Sequence, residues 1–371
     1  MGLQEIGSAV DAVSADLAGG AASDIFILGG PTGNGVVQAD TLTIEASLTA
    51  NRDEKGFSFQ TTGTISIELY HPWLVLTSRV YIGAAGVHPV AHNFVLSSDD
   101  PEVDGILVHT PGVDNGFYIG FERTTGTWSI FYSSPSSADN RSVVVRADNP
   151  ISSLAAIGFN PAARLPEDSL LSRDTGVYQN IAPLAGIEAG SSGRNIAVGD
   201  FDNDMDQDLY IVATGPVENE FNVLYENLGD GFFERVPDAG GAAGTRLGRG
   251  DTVSVADYDI NGFLDLFVTN GKSHPPFDKD GPVQLFRNAG NSNHWIELDL
   301  EGVQSNRDGI GTRILATAGG ITQLREQGGG MHFRTQNHQH IHFGLAGNTA
   351  VDSVTVNWPS GITQTINNLP A

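Results

Sequence analysis

The chain has 371 residues, with 44 acidic against 19 basic side chains and a net charge of −25. That balance argues against a nucleic-acid-binding face and against adhesion to an anionic lipid surface, since both need clustered Lys and Arg. The absence of cysteine excludes disulfides, thiolate zinc sites and a thiol nucleophile.

Charged residues make up 17% and hydrophobic ones 40%, a globular rather than a disordered composition. The 46 glycines, set among short apolar runs, predict an all-β protein rich in turns. No apolar run is long enough for a membrane-spanning helix. The start, Met1-Gly2-Leu3-Gln4-Glu5, has neither the basic nor the apolar region of a signal peptide. The expectation is therefore either a cytoplasmic chain or a segment of a longer protein. A disulfide-free extracellular domain needs another staple, and metal ions are one option.

Residues 1–49 read as a degraded copy of a unit that recurs later in the chain. Val13–Asp16 and Asp24–Ile27 resemble Ser254–Asp257 and Asp265–Val268, with the same eight-residue separation of the two Asp residues. Ala18 and Gly20 stand where the later copies have acids or amides.

Residues 50–165 read as a β-sandwich. Phe117, Ile119 and Phe121 alternate on one strand, and Trp128, Ile130 and Tyr132 on the next, across Thr124-Thr125-Gly126. Further strands are expected at 65–69, 79–82, 94–96, 106–109 and 142–146, with 161–175 as a linker. Trp73, Trp128 and Tyr132 could line a sugar-binding face, although core packing accounts for them more simply.

Residues 166–293 hold two complete copies, offset by 57 residues between Asp200 and Asp257. Each has an alternating strand, an acidic loop, a second strand (209–212 or 266–269) and a third element ending in Asn227 or Asn288. A period of this size with several strands per unit predicts propeller blades. The first loop carries Asp200, Asp202, Asp204, Asp206 and Asp208; the second carries Asp257, Asp259, Asn261 and Asp265, with the Phe263 carbonyl at the seventh position. Odd spacing in a tight loop turns alternate oxygens toward one centre, and hard oxygen ligands in this number suit Ca²⁺. Repulsion decides against a merely solvated turn, because unit charges about 4 Å apart repel by roughly 4 kcal/mol in a partly buried site. Gly262 permits a sharp turn at the sixth position, where the first loop has Met205.

Residues 294–371 form a last β unit, with strands expected at 295–300, 312–317, 341–343 and 353–358. His338, His340 and His342 would share one face of a strand, and two His at i and i+2 can chelate a transition metal. An exposed strand accounts for them more simply. Arg249-Gly250-Asp251 spells an integrin-recognition tripeptide, for which chance occurrence is the better account.

The acidic loops, together with Leu224–Phe233, resemble the FG-GAP (VCBS) repeats of integrin-like β-propellers. Ser305–Gly311, His342–Leu345 and Val356–Gly361 resemble the ASPIC/UnbV domain that follows such repeats in the cartilage acidic protein-like family. The resemblance, which covers about 175–371 and more weakly 10–30, implies partial propeller blades and a C-terminal small β domain; the inserted β-sandwich at 50–165 is read from the strand pattern alone. It implies a secreted or surface-exposed calcium-binding protein without an established enzymatic activity. The leading expectation is a non-enzymatic adhesion, surface or assembly protein with a protein or glycan partner at a cell surface or matrix. The alternatives are a carbohydrate-binding module on the sandwich and a calcium-dependent lyase or cyclase. Two good blades and one degraded blade cannot close a propeller. The repeats should therefore either pack on both flanking domains, burying Val198, Val255, Leu266 and Phe267, or self-associate.

Overall fold

Strand pairing sorts the chain into three blade-like sheets, a two-sheet sandwich and a C-terminal β domain. The computed structural model describes residues 9–29, 36–70, 79–89, 93–137, 139–159, 168–172, 178–188, 193–214, 219–229, 231–271, 280–328, 331–332 and 335–371. Among these, two short 3-10 turns at Pro101–Val103 and Pro237–Gly241 are the helical elements.

The first blade is assembled from two distant pieces. Ala9–Ala15 and Asp24–Gly29 pair as a hairpin, and Asp24–Gly29 then pairs with Ser169–Ser172, which pairs with Gln179–Asn180. The stretch read as a linker thus contains a blade strand: Leu170 is fully buried, and the Asp168 carboxylate accepts the Gly29 N–H at 2.8 Å. The whole sandwich is inserted between the second and third strands of this blade.

The sandwich has two five-stranded sheets enclosing one core. Val36–Ala39 and Thr43–Ala50 pair into it, although both begin before residue 50. Strict alternation places Ile44, Ala46, Leu48 and Ala50 inside. The Gly116–Glu122 and Thr127–Ser133 hairpin forms in the expected register, with Trp128 opposite Phe121. Trp128 and Tyr132 are completely buried, so neither offers a sugar-binding face; Trp73 lies outside the described residues. Residues 106–109 form no strand.

The second blade (Gly193–Gly199, Asp208–Ala213, Val223–Asn227, Phe233–Val236) is buried on both faces. Leu209 and Ile211 pack with Phe26 and Leu28 of the first blade, while Tyr210 and Val212 pack with Val253 and Val268 of the third. Burial on both sides explains why its second strand is continuously apolar. Each such side chain removed from water contributes about 1.5–3 kcal/mol.

The third blade (Arg249–Ala256, Asp265–Gly271, Gln284–Phe286) buries Val255 and Leu266. Val198 is half-buried, but Phe267 is 45% exposed on the sheet's other face, beside its cross-strand partner Leu285. The expectation that all four side chains would be covered fails at Phe267, because no further sheet of the described residues lies against that face. The Arg-Gly-Asp tripeptide begins a blade strand with Gly250 buried and its N–H bonded to Asn219 Oδ1. It is blade framework rather than an exposed recognition loop.

The C-terminal domain pairs His294–Leu298 with Ile341–Ala346, and stacks Ile321–Glu326, Arg313–Ala318, Ala350–Asn357 and Thr363–Pro370 in a second sheet. It docks on the acidic ends of the blades: Met205 of the first acidic loop sits in its core with Phe343 and Leu345.

Candidate metal centres

Both complete loops link the first and second strands of a blade, and their backbones are held by the same hydrogen bonds. The N–H of the fifth residue donates to the first Asp: Asp204 to Asp200 Oδ1 at 3.0 Å, and Asn261 to Asp257 Oδ1 at 3.1 Å. The sixth N–H donates to the same carboxylate, from Met205 at 3.1 Å and from Gly262 at 2.7 Å. The seventh N–H donates to the fifth side chain, from Asp206 at 3.0 Å and from Phe263 at 2.8 Å. The last Asp accepts the second residue's N–H, Phe201 to Asp208 at 3.0 Å and Tyr258 to Asp265 at 3.1 Å.

This frame requires left-handed backbone at the fourth and sixth positions of each loop: Asn203 and Met205 in one, Ile260 and Gly262 in the other. Met205 therefore adopts a glycine conformation (φ 92°) despite its side chain. Its burial in the C-terminal core offsets the strain, which is of order 1–3 kcal/mol. The sequence mismatch at Met205 is thus no mismatch in shape.

The frame converges the carboxylates. In the first loop, oxygens of Asp200, Asp202 and Asp204 lie within 4.8 Å of one another; in the second, those of Asp257, Asp259 and Asp265 do. Asp206 and Asp208 are not in the first cluster, and Asn261 is engaged through its amide with the Asn288 carbonyl at 3.0 Å. Burial, reinforced by neighbouring acids, pushes Asp200 up to about 8 and Asp204 up to about 7, and holds Asp208 well above the usual carboxylate range. Burial raises Asp265 as well. Clustered carboxylates that resist ionisation are what a bound cation would relieve, and an all-oxygen donor set fits Ca²⁺.

The loops differ in one neighbour. Glu226 stands beside the first, where Asp202 raises its pKa after burial does. At the corresponding place Arg287 pairs with Asp259 of the second. The sequence displays this Glu/Arg exchange, but only the strand register shows that it faces the loop.

Near the N-terminus Asp24 keeps the framing role, accepting the Leu17 and Ala18 N–H groups at 3.0 and 2.7 Å. Asp16 instead accepts the Leu324 N–H of the C-terminal domain at 3.2 Å. Ala18 and Gly20 supply no side-chain oxygen.

Two asparagines tie each blade to its predecessor. Asn227 N–H donates to Asp208 while its side chain donates to Leu17 O at 2.9 Å; Asn288 N–H donates to Asp265 while its side chain donates to Phe201 O at 2.6 Å. Their matched place at the end of each third strand was the signal for this role.

The C-terminal domain grips both loops. The Ala346 N–H donates to Asn203 O at 2.7 Å, and Asn203 in turn donates to Gly262 O at 2.9 Å. His342 Nε2 donates to the same Gly262 carbonyl at 3.1 Å. A Cβ at Gly344 would lie 2.2 Å from Asp200 Oδ2. His342 is thereby separated from His338 and His340, which precede the strand Ile341–Ala346 and approach Glu297 instead. The three do not share a strand face.

Residues 200–268 match the model of the FG-GAP-like repeat, and residues 302–371 match that of ASPIC and UnbV. The chain is similar to both over these segments. The FG-GAP-like match spans both acidic loops, and the ASPIC/UnbV match contains most of the domain docked on them. The chain is 30% identical over 177 residues to cartilage acidic protein 1 of Mus musculus, covering 45% of this chain and 26% of that protein. The Homo sapiens protein of the same name is also 30% identical over 177 residues, covering 45% and 25%. The chain thus spans about a quarter of the length of the curated relatives it matches.

Proposed function

We propose that this chain is a non-enzymatic, extracellular or cell-surface calcium-binding module, with one Ca²⁺ in each complete acidic loop. The ions stiffen the blade ends on which the ASPIC/UnbV domain sits, presenting a fixed surface for adhesion or assembly. Asp200, Asp202 and Asp204 are the principal ligands of one site, and Asp257, Asp259 and Asp265 of the other. Asp206, Asp208, Asn261 and the Phe263 carbonyl complete the shells. The observation that carries this reading is the convergence of three carboxylates in each of two loops built on one hydrogen-bond frame. Resemblance to FG-GAP-like repeats and to cartilage acidic protein 1 supports the calcium and matrix setting.

Calorimetric titration with Ca²⁺ tests it. Two equivalents should bind, at a Kd on the order of 10⁻⁴–10⁻³ M if the sites behave as extracellular modules do. At a hundred times Kd each ion adds about 2.7 kcal/mol to stability. A melting temperature unchanged by EDTA, or full binding retained by a variant carrying Asp200→Asn and Asp257→Asn, would sink the proposal.

A further inference from the structure

Outside the acidic loops, a second kind of donor set gathers at the junction of the blades with the C-terminal domain. Glu297 lies on the strand His294–Leu298, and His338 and His340 lie just before its partner strand, Ile341–Ala346. Ligand atoms of all three residues lie within 4.8 Å of one another. The His338 backbone is pinned by its N–H bond to Val255 O at 3.2 Å, and the neighbouring Asn337 side chain accepts the Val255 N–H at 3.0 Å. The loop is therefore held against the third blade.

The spacing is informative. His338 Nδ1 stands 3.5 Å from Glu297 Oε1, and His340 Nδ1 stands 3.5 Å from Glu297 Oε2. A direct N–H···O bond would sit at about 2.7–3.2 Å. Two donors each about 2.1 Å from a tetrahedral ion stand about 3.4 Å apart. Glu297 Oε1 is buried without a hydrogen-bond partner, a costly state for a carboxylate oxygen. An ion between these groups would satisfy it.

We propose that Glu297, His338 and His340 form a binding site for a borderline divalent transition-metal ion of the Zn²⁺ class, distinct from the calcium loops. Two imidazoles and one carboxylate suit such an ion and are poor for Ca²⁺, which takes oxygen ligands. Three protein ligands leave a coordination position for water or an exchanging ligand. His338 and His340 also line an open cavity of about 370 Å³ between the three blades and the C-terminal domain, which Asp16, Arg325 and His342 line as well. The ion would form part of that cavity's wall. Burial lowers the His338 pKa and keeps its ring in the neutral, ligating form.

The test is calorimetric titration of the chain with Zn²⁺ at saturating Ca²⁺, with Co²⁺ absorption as a second readout. One equivalent should bind, and bound Co²⁺ should show the visible bands of a nitrogen- and oxygen-ligated ion. Glu297→Gln and the exposed His340→Ala should each weaken Zn²⁺ binding at least tenfold while leaving Ca²⁺ stoichiometry and the calcium-dependent melting temperature unchanged. Absence of Zn²⁺ binding up to millimolar concentration would overturn the proposal. So would binding that both variants retain at full strength.

Discussion

The Asn288 side chain donates to the Phe201 carbonyl at 2.6 Å, fastening the end of the third blade to the acidic loop of the second. It also donates to Leu264 O at 3.2 Å, and its own carbonyl accepts the Gly290 N–H at 2.9 Å. One amide thus serves three backbone groups across a blade boundary. Asn288→Ala should destabilise the chain by about 1–3 kcal/mol, the cost of leaving buried backbone groups unpaired. Asn288→Asp should not rescue it, since a carboxylate cannot donate. Urea unfolding measures this; a loss under about 0.5 kcal/mol would show the link to be incidental.

The two acidic loops should differ in calcium affinity. Glu226 adds negative charge beside the first, whereas Arg287 competes for Asp259 in the second. The first site should bind more tightly. Arg287→Ala should strengthen the second site several-fold, and Glu226→Gln should weaken the first, as resolved by sequential calorimetric titration. Equal sites insensitive to both changes would contradict the charge argument.

Calcium binding should release protons near neutral pH. In the metal-free fold Asp200 is pushed up to about 8 and Asp204 to about 7, both above the value of 3.8 for the free side chain. A folded-state pKa above the unfolded one means the metal-free fold holds these protons more tightly. Its contribution to stability is fully present below pH about 4 and is lost as pH rises through about 7–8. Calcium reverses the trend by replacing the protons. Affinity should therefore rise between pH 6 and pH 8, and titrations in buffers of different ionisation enthalpy should report proton release. A pH-independent affinity would argue against protonated carboxylates at the sites.

Gly262 should not tolerate a larger side chain, nor Met205 the loss of its own. A Cβ at Gly262 would lie 1.6 Å from Trp295 Nε1, at φ +90°, so Gly262→Ala should separate the C-terminal domain from the third blade and raise its protease sensitivity. Met205→Gly relieves backbone strain of about 1–3 kcal/mol but gives up a buried side chain worth about 2–5 kcal/mol. The net result should be a modest loss, near 1–2 kcal/mol, in chemical denaturation. A stabilised Met205→Gly would mean that strain outweighs packing there.

The acidic loops, the Gly116–Glu122 and Thr127–Ser133 hairpin and the blade repeat were legible in the sequence, because each is a local pattern: odd-numbered oxygens, alternating apolar residues, a turn of fixed length. Such patterns are set by the pleat and by turn geometry, which operate over a few residues. Tertiary structure alone decided which strands pair over long distances. Ser169–Ser172 joins a blade begun at Ala9–Ala15, and Thr43–Ala50 joins the sandwich, because a strand's partner is chosen by the apolar face it must cover. The same reason divides the three histidines. Alternation put them on one face, but Ile341–Ala346 begins after His338 and His340, so His342 turns inward to Gly262 and the other two meet Glu297.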